Sequence, residues 1–233
     1  MARMTRVLDE MPDLAEGLTA AEFEAAAQVA LGAAERIDRG LWTPTFGDQI
    51  GGIVSDGVLL RTCGFSGAAA SILVGPGDLI LEPSATGAWT ALQPVTIIWL
   101  GAPFERAMQR WPSITRSLLR LVQEGAERSM ALQAIVQRQR VDERLLALLW
   151  LLAERWGRMT RDGVVLELRL QHRVLADLIG ARRPSVTTAL GALTAEGRVV
   201  RRAGGGWLLR DAPPALPLAA GAEDAGPAPA MST

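Results

Sequence analysis

The chain has 233 residues, of which 49% are hydrophobic and 21% are charged, and its formal net charge is −1. This length and composition support one large or two small folded domains with buried cores. A single cysteine and a single histidine exclude a disulfide framework, a cysteine-ligated zinc or iron–sulfur site and a multi-histidine metal site.

The chain has no feature of a membrane or exported protein that can be read from its pattern. No uncharged apolar run reaches about 18 residues, and the opening stretch MARMTRVLDEMPDLAEG lacks the apolar segment of a signal peptide. We therefore expect a cytoplasmic protein that does not bind membranes.

Positive charge is concentrated near the end of the chain. All 24 basic residues are arginines, and residues 181–210 carry six of them against Glu196 alone, whereas residues 1–40 carry eight acidic residues against four arginines. Such asymmetry indicates a polyanionic partner for the C-terminal part. The alternative is a solvated charged face enriched in arginine by coding bias.

The N-terminal half predicts a helix followed by a β-rich domain. Residues 1–17 are taken as an N-terminal segment, and Leu18–Ile37 is alanine-rich with the apolar spacing of a helix capped by Thr19 or a neighbour. From Thr43 to Leu100, glycine and proline recur between short apolar runs, which indicates short strands joined by tight turns. We expect a sandwich or roll within residues 18–110.

A long helix is predicted from about Ser113 to Gln139, within a segment 111–140, and Pro112 suits its first turn. At 1.5 Å per residue it would reach roughly 40 Å, more than a small roll can cover. Two apolar stripes run along it, so one can pack on the strands while the other meets a twin helix in a homodimer. The alternative is a single helix that lies on one core. The residues assigned to the inter-subunit seam are Leu118, Leu121, Leu132 and Ile135, and the second stripe is Leu119, Val122, Ala126 and Met130.

Residues 141–212 predict a helix-turn-helix followed by a hairpin. A helix begins near Asp142, GVVLELRL alternates like a strand, and a short helix over Gln171–Ile179 ends at Gly180. Pro184 fits the first turn of the next helix, and VVRRAGGGWLLR reads as two strands around a glycine-rich tip. Residues 213–233 are rich in proline, alanine and glycine, so we expect a disordered tail.

The second helix of this motif has the pattern of a DNA-recognition helix. Val186, Leu190 and Leu193 mark its buried face, so the hydroxylated residues of its first turns point away from the core. An arginine at the mouth of such a helix can reach guanine or a phosphate, and wing arginines would lie beside the DNA backbone. The candidate DNA-binding residues are Arg182, Arg183, Ser185, Thr187 and Thr188 in the helix and Arg201 and Arg202 in the wing.

Residues 15–210 resemble the Crp/Fnr superfamily of bacterial transcription regulators, most clearly in LADLIGARRPSVTTALGALTAEGRV and the preceding RVDERLLALLWLLAERWG. The resemblance implies an α+β fold: a cyclic-nucleotide-binding-like β-roll, a dimerisation helix and a C-terminal winged helix-turn-helix. It also implies that Arg183, Ser185 and Thr188 contact bases and that His172 lies where backbone phosphates are touched.

The effector pocket departs from the pattern of family members that bind cyclic nucleotides. Those members have a Gly-Glu pair for the ribose and an Arg-Ser or Arg-Thr pair for the phosphate, whereas this chain has Leu81-Glu82 and no basic residue between Arg61 and Arg106. A desolvated cyclic phosphate would lack a cation, so cyclic AMP and GMP are not expected.

Other cofactors of the resembled family also lack their ligands. No cysteine precedes Cys63 to hold an iron–sulfur cluster, and His172 would place haem in the DNA-binding domain. Glu82, Trp89 and Cys63 are kept as weak candidates for the pocket; Trp89 is alternatively core, and Cys63 is either a thiol sensor beside Arg61 or an inert small hydrophobe.

Catalysis is not expected, because Cys63 has no histidine in the same predicted domain and no phosphate-binding glycine loop is present. The sequence therefore predicts a homodimeric, sequence-specific regulator of transcription that binds double-stranded DNA, with RNA polymerase as a candidate further partner. The alternative is a ligand-binding or scaffolding protein whose winged helix serves protein contacts.

Overall fold

The computed structural model describes residues 3–82, 87–211 and 213. The chain forms two compact units, the first ending at Glu127 and the second beginning at Arg128. No helix of the described part combines the length and the apolar character needed to cross a membrane. Of the expected disordered tail, all but Pro213 lies outside the described residues.

The first unit is a β-roll with helices at its start and end. Antiparallel pairing gives one sheet in the order β1-β2-β9-β4-β7 and a second in the order β3-β8-β5-β6, which confirms the predicted roll. The elements before the long helix are β1 (Arg3–Arg6), α1 (Val7–Glu10), a 3-10 turn (Pro12–Ala15), α2 (Ala20–Val29), β2 (Leu31–Ile37), β3 (Gly40–Trp42), β4 (Gly51–Asp56), β5 (Leu59–Phe65), β6 (Ala68–Val74), β7 (Leu79–Ile80), β8 (Gly87–Ala91), β9 (Val95–Leu100) and α3 (Ala102–Arg110).

Strand β9 separates two hydrophobic cores because its side chains alternate between the faces of the sheet. Ile98 and Leu100 pack with the helices in what we call the helix core. Ile97 and Trp99 pack with residues of both sheets in what we call the roll core. The first sheet is therefore covered on both faces.

The predicted helix over Leu18–Ile37 is only half helical. Its start is confirmed, since Thr19 and Glu22 form a capping box in which the Glu22 amide donates to Thr19 Oγ1 at 3.3 Å. However, α2 ends at Val29 and β2 follows, because β2 pairs with both β1 and β9. Tertiary pairing here overrides the helix propensity of alanine.

The segment before Leu18, expected to lie outside the roll, is folded. Val7, Leu8 and Leu14 have no more than traces of exposed surface and belong to the helix core. Arg120 of the long helix also bonds this segment through the Glu16 carboxylate and the Asp13 carbonyl. Residues 3–15 are therefore part of the first unit.

The long helix, α4 (Pro112–Val136), exposes a different stripe from the one predicted to form the seam. Leu118 and Leu121 are 9% and 8% exposed and lie in the helix core. Leu119 and Val122 are 63% and 41% exposed. Leu118 and Leu121 are therefore covered by their own chain and are not free to form the predicted inter-subunit seam. Of the other two predicted seam residues, Ile135 is fully buried and Leu132 is partly buried. Met130, which belongs to the second stripe, is exposed.

The second unit is a winged helix-turn-helix, as the sequence predicts. Its antiparallel sheet has the order β10-β11-β13-β12, and α5 contributes a nearly continuous buried run from Leu145 to Trp150. Strand β10 was not among the predicted elements. The elements are α5 (Val141–Trp156), β10 (Gly157–Thr160), β11 (Gly163–Leu166), α6 (His172–Ile179), α7 (Arg183–Ala195), β12 (Val199–Arg201) and β13 (Trp207–Leu209).

Candidate nucleic-acid interface

The helix-turn-helix is formed by α6, a tight turn and α7. Gly180 ends α6 in the left-handed conformation with φ 62°, which a residue without Cβ adopts at little cost. The Ala181 amide donates to the Ala176 carbonyl at 3.0 Å and closes the turn. Arg182 then precedes α7 in an extended conformation, and Pro184 occupies its first turn.

The first turns of α7 present polar side chains to solvent. Val186, Leu190 and Leu193 are buried as predicted. Arg182, Arg183, Ser185, Thr187 and Thr188 are all exposed. Because the N-terminal end of a helix is electropositive, this surface favours an anion even before the arginines are counted.

Both threonine hydroxyls bond back to their own helix. Thr187 Oγ1 donates to the Arg183 carbonyl at 3.2 Å, and Thr188 Oγ1 donates to the Pro184 carbonyl at 3.3 Å. These bonds fix the side-chain rotamers and leave the oxygen lone pairs available as acceptors. A base edge in contact with Thr188 would thus meet a preoriented acceptor and a methyl group.

His172, at the start of α6, is joined to α7 by a hydrogen bond of 2.9 Å between its Nδ1 and Thr187 Oγ1. When the Thr187 hydroxyl donates to the Arg183 carbonyl, the histidine Nδ1–H donates to Thr187 Oγ1. Nε2 is then an acceptor when the ring is neutral and a second donor when the ring is protonated.

The environment of His172 favours the neutral ring. Partial burial lowers the pKa of His172 below its ordinary value, and the positive charges of Arg201 and Arg183 lower it further. The two arginines come from the wing and from α7. Because His172 is bonded to α7 and is affected by a wing arginine, we infer that the start of α6, the start of α7 and the wing share one positively charged face.

The wing is the hairpin of β12 and β13. The Arg201 guanidinium carbon lies 5.1 Å from the centre of the Trp207 ring, and Trp207 is 2% exposed. Arg202 Nη1 donates to Glu167 Oε1 at 3.3 Å. Both arginines are exposed, but they differ in that only Arg202 is paired with a carboxylate in the described residues.

Two residues of this face were not singled out from the sequence. Glu167 is the partner of Arg202, and Arg169 lies against Gly205 at the tip of the wing. Neither pairing has a sequence signal, because the partners are more than 30 residues apart and no local spacing links them. The alternating charges of Glu167 and Arg169 after β11 were the available hint.

The residues considered for an effector pocket lie at different places in the first unit. Trp89 is 5% exposed in the roll core, with its ring 6.0 Å from that of Trp42 and 5.2 Å from the Arg61 guanidinium carbon. Cys63 is partly exposed opposite Gly87, and Glu82 is exposed beside residues 83–86, which lie outside the described part. Trp89 is thus a core residue.

A cavity of the roll lies elsewhere, against β2 and β9. It has a volume of about 470 Å³ and includes Glu35, Gln49 and Trp99 in its lining. The indole nitrogen of Trp99 donates to Glu35 Oε2 at 2.6 Å. Within residues 3–82, 87–211 and 213, no three His, Cys, Asp or Glu side chains are grouped in a way that could hold a metal ion.

Known proteins share this architecture. Residues 143–213 match the family model of the Crp-like helix-turn-helix domain. The Regulatory protein CysR of Synechococcus elongatus is 33% identical over 163 residues, which cover 68% of this chain and 75% of the relative. The Global nitrogen regulator of Nostoc sp. is 31% identical over 107 residues, covering 44% of this chain and 47% of the relative.

Solved structures are similar over most of the chain. A double mutant of CooA from Carboxydothermus hydrogenoformans has a TM-score of 0.64 at 17% identity and covers 91% of this chain and 94% of its own. FixK2 from Bradyrhizobium japonicum has a TM-score of 0.62 at 17% identity and covers 77% and 93%. A CRP/FNR family transcriptional regulator from Thermus thermophilus has a TM-score of 0.51 at 23% identity and covers 76% and 93%. The chain, with its β-roll, long helix and C-terminal DNA-binding helix-turn-helix, therefore belongs to the Crp/Fnr superfamily of transcription regulators.

Proposed function

We propose that this regulator reads its operator through the face that joins the start of α7, the start of α6 and the wing. The observation that carries this proposal is the exposed first turn of α7, where Arg183 and Ser185 lie beside the bonded pair of His172 and Thr187. Arg183 presents two parallel donors to a guanine, whereas Ser185 and Thr188 are short enough only for single hydrogen bonds or methyl contacts.

Arg201, on the wing, binds a phosphate and carries no sequence information. Arg201 is exposed and has no carboxylate partner in the described residues, and its charge acts on the ring of His172. A phosphate at this position would accept from Arg201 and would favour the protonated ring of His172. Arg182, which precedes α7, lies where it can contact either a phosphate or a base edge.

The active species is a homodimer whose seam is the exposed stripe of α4. Leu119 and Val122 lie one turn apart on the side of α4 that its own core leaves open, and Ala126 and Met130 continue this spacing in the sequence. A second copy of α4 would bury the same stripe in a symmetric interface. The operator is then an inverted repeat with half-sites about one helical turn apart.

The roll serves as the sensor domain and the segment 111–140 as the dimerisation helix. The effector of the roll is not a cyclic nucleotide, because residues 62–105 contain no basic side chain that could bind its phosphate. The protein acts on cytoplasmic DNA, does not catalyse a reaction, and presents the bound dimer to RNA polymerase.

The test is to recover the genomic DNA fragments that the purified full-length protein binds, and then to titrate the salt dependence of binding. DNA binding by phosphate neutralisation requires log K to fall linearly with log salt, by about 0.9 per phosphate contact. A shared inverted repeat among the fragments, lost with Arg183→Ala, is the expected result. Absence of salt-dependent binding to any duplex would instead favour a winged helix that contacts protein.

A further inference from the structure

Three arginines surround the tip of the wing, and they differ in what their side chains contact. Arg201 lies over the Trp207 ring, and Arg202 is bonded to Glu167. Arg169, from the connection between β11 and α6, lies across Gly205: a Cβ added at Gly205 would be 3.2 Å from Arg169 Cγ and 3.3 Å from Cδ.

Gly205 makes this arrangement possible. Its φ is +89°, a conformation that L side chains rarely adopt, and its lack of a side chain lets the aliphatic stem of Arg169 lie on the backbone of the wing turn. The neighbouring Gly206 lies against the end of β11, since a Cβ there would be 2.6 Å from the Leu166 carbonyl oxygen and 3.2 Å from Glu167 Cα. The wing turn is therefore packed against the side-chain stem of Arg169 at Gly205 and against the backbone of Leu166 and Glu167 at Gly206.

This packing places Arg169 between the wing tip and the start of α6. Arg169 precedes His172 by three residues, and His172 is near enough to Arg201 and Arg183 for their charges to lower its pKa. Arg169 is exposed, and no carboxylate is bonded to its guanidinium in the described part of the chain. It thus brings an uncompensated positive charge to the edge of the face proposed to bind DNA.

Arg202 is restrained where Arg169 is not. A phosphate that approaches the Arg202 guanidinium also approaches the Glu167 carboxylate, which is bonded to it at 3.3 Å and repels the phosphate. The pair has no net charge, so it releases little counterion from DNA. A salt-dependent contact at Arg202 would require the Glu167 bond to break.

We propose that Glu167 prevents Arg202 from binding a DNA phosphate and that Arg169 makes the second phosphate contact of the wing, beside Arg201. This inference rests on the proposed function, since it assigns contacts within the same DNA interface. It adds Arg169 to the interface and removes Arg202, which the sequence pattern alone had included.

The experiment measures binding of the full-length protein to fluorescent duplex DNA of random sequence over a range of salt concentrations. Arg169→Ala is expected to reduce the salt slope by about 0.9, which corresponds to about eight-fold weaker binding at about 0.1 M salt and about three-fold at about 0.3 M. Arg169→Gln keeps an aliphatic stem across Gly205 and removes the charge, so it is expected to show the same reduced salt slope as Arg169→Ala.

Two controls isolate the position of the charge. Arg161→Ala removes an exposed arginine from the turn between β10 and β11, at the sheet edge away from the wing, and is expected to leave the slope unchanged. The double variant Glu167→Gln with Arg202→Gln removes the neutral pair and is also expected to leave it unchanged. Glu167→Gln alone frees Arg202 and should steepen the slope by up to about one ion.

The outcomes distinguish this inference from the function on which it rests. If the wild-type protein binds DNA with a steep salt slope and Arg169→Ala and Arg169→Gln retain that slope, the assignment of Arg169 is overturned while the DNA-binding function stands. If the double variant loses about one ion, the contact belongs to Arg202. If the wild-type protein shows no salt-dependent binding, both proposals fail.

Discussion

Truncation of Leu119 and of its neighbour Leu118 should have opposite consequences, although the two leucines are adjacent on α4. Leu119 is 63% exposed and, in the proposed dimer, faces the second copy, whereas Leu118 is 9% exposed and lies in the helix core. Leu119→Ala should therefore weaken association and spare the fold. Leu118→Ala should destabilise the fold, and any effect on association should follow from that.

The exposed fraction of Leu119 sets the size of the effect. Full burial of a leucine side chain stabilises by about 1.5–3 kcal/mol. Because 63% of Leu119 remains to be covered, dimerisation gains about 1–2 kcal/mol in each protomer. The substitution removes this from both copies, about 2–4 kcal/mol in total, which raises the dimer dissociation constant by about 30- to 700-fold.

The unfolding free energy provides the second measurement. Leu118→Ala leaves a cavity in the helix core and should cost about 2–5 kcal/mol. Leu119→Ala should change the stability of the isolated protomer by less than about 0.5 kcal/mol. Urea unfolding must be followed at concentrations at which the protein is monomeric, since association with a folded partner itself adds apparent stability.

Sedimentation velocity over a concentration series gives the dissociation constants. An unchanged dissociation constant for Leu119→Ala would refute the assignment of this stripe to the seam. So would a Leu118→Ala protein that dissociates as strongly as Leu119→Ala while keeping wild-type stability, because Leu118 would then be exposed to the partner.

Three further predictions concern DNA and the roll. Arg183→Ala should cost about 1–3 kcal/mol on the cognate duplex and much less on a scrambled one, whereas Arg201→Ala should weaken both alike and reduce the salt slope by about one ion; equal losses for Arg183→Ala on both duplexes would make it a backbone contact. A bound phosphate should raise the pKa of His172 above its depressed value in the free protein, so DNA affinity should increase as pH falls through the bound-state pKa and level off below the free-state pKa; His172→Gln should abolish this dependence in anisotropy titrations between about pH 5 and pH 8. Calorimetry should detect no binding of cyclic AMP or cyclic GMP at physiological concentrations, and micromolar affinity for either nucleotide would contradict the argument from the missing cation.

Local patterns in the sequence were sufficient for the elements whose boundaries are set by nearby residues. The Thr19 capping box, the left-handed Gly180 and the first-turn Pro184 all act within four residues, and all three boundaries are where the sequence places them. The buried face of α7 follows from helical spacing alone, because a helix that covers a core must turn one stripe inward.

Features that depend on distant partners were beyond this reasoning. The residues of β2 are alanine-rich and were assigned to a helix, since nothing local shows that β1 and β9 flank them. Both stripes of α4 are apolar, so the sequence does not reveal which one the helix core occupies. In the wing, Arg201 and Arg202 are adjacent and chemically identical, and only the positions of Trp207 and Glu167 in space distinguish their surroundings.

Strand β9 has a further consequence, for how a change in the roll is transmitted to the rest of the first unit. Ile97 and Trp99 belong to the roll core, and Ile98 and Leu100, between and after them, belong to the helix core together with Leu118 of α4. A backbone displacement that accommodates a larger or smaller occupant on one face must move the alternate side chains on the other. Strand β4 alternates in the same way, with Ile53 in the helix core and Val54 in the roll core. The two cores therefore cannot repack independently, and the base of α4 is mechanically coupled to the interior of the roll through the strands that the cores share.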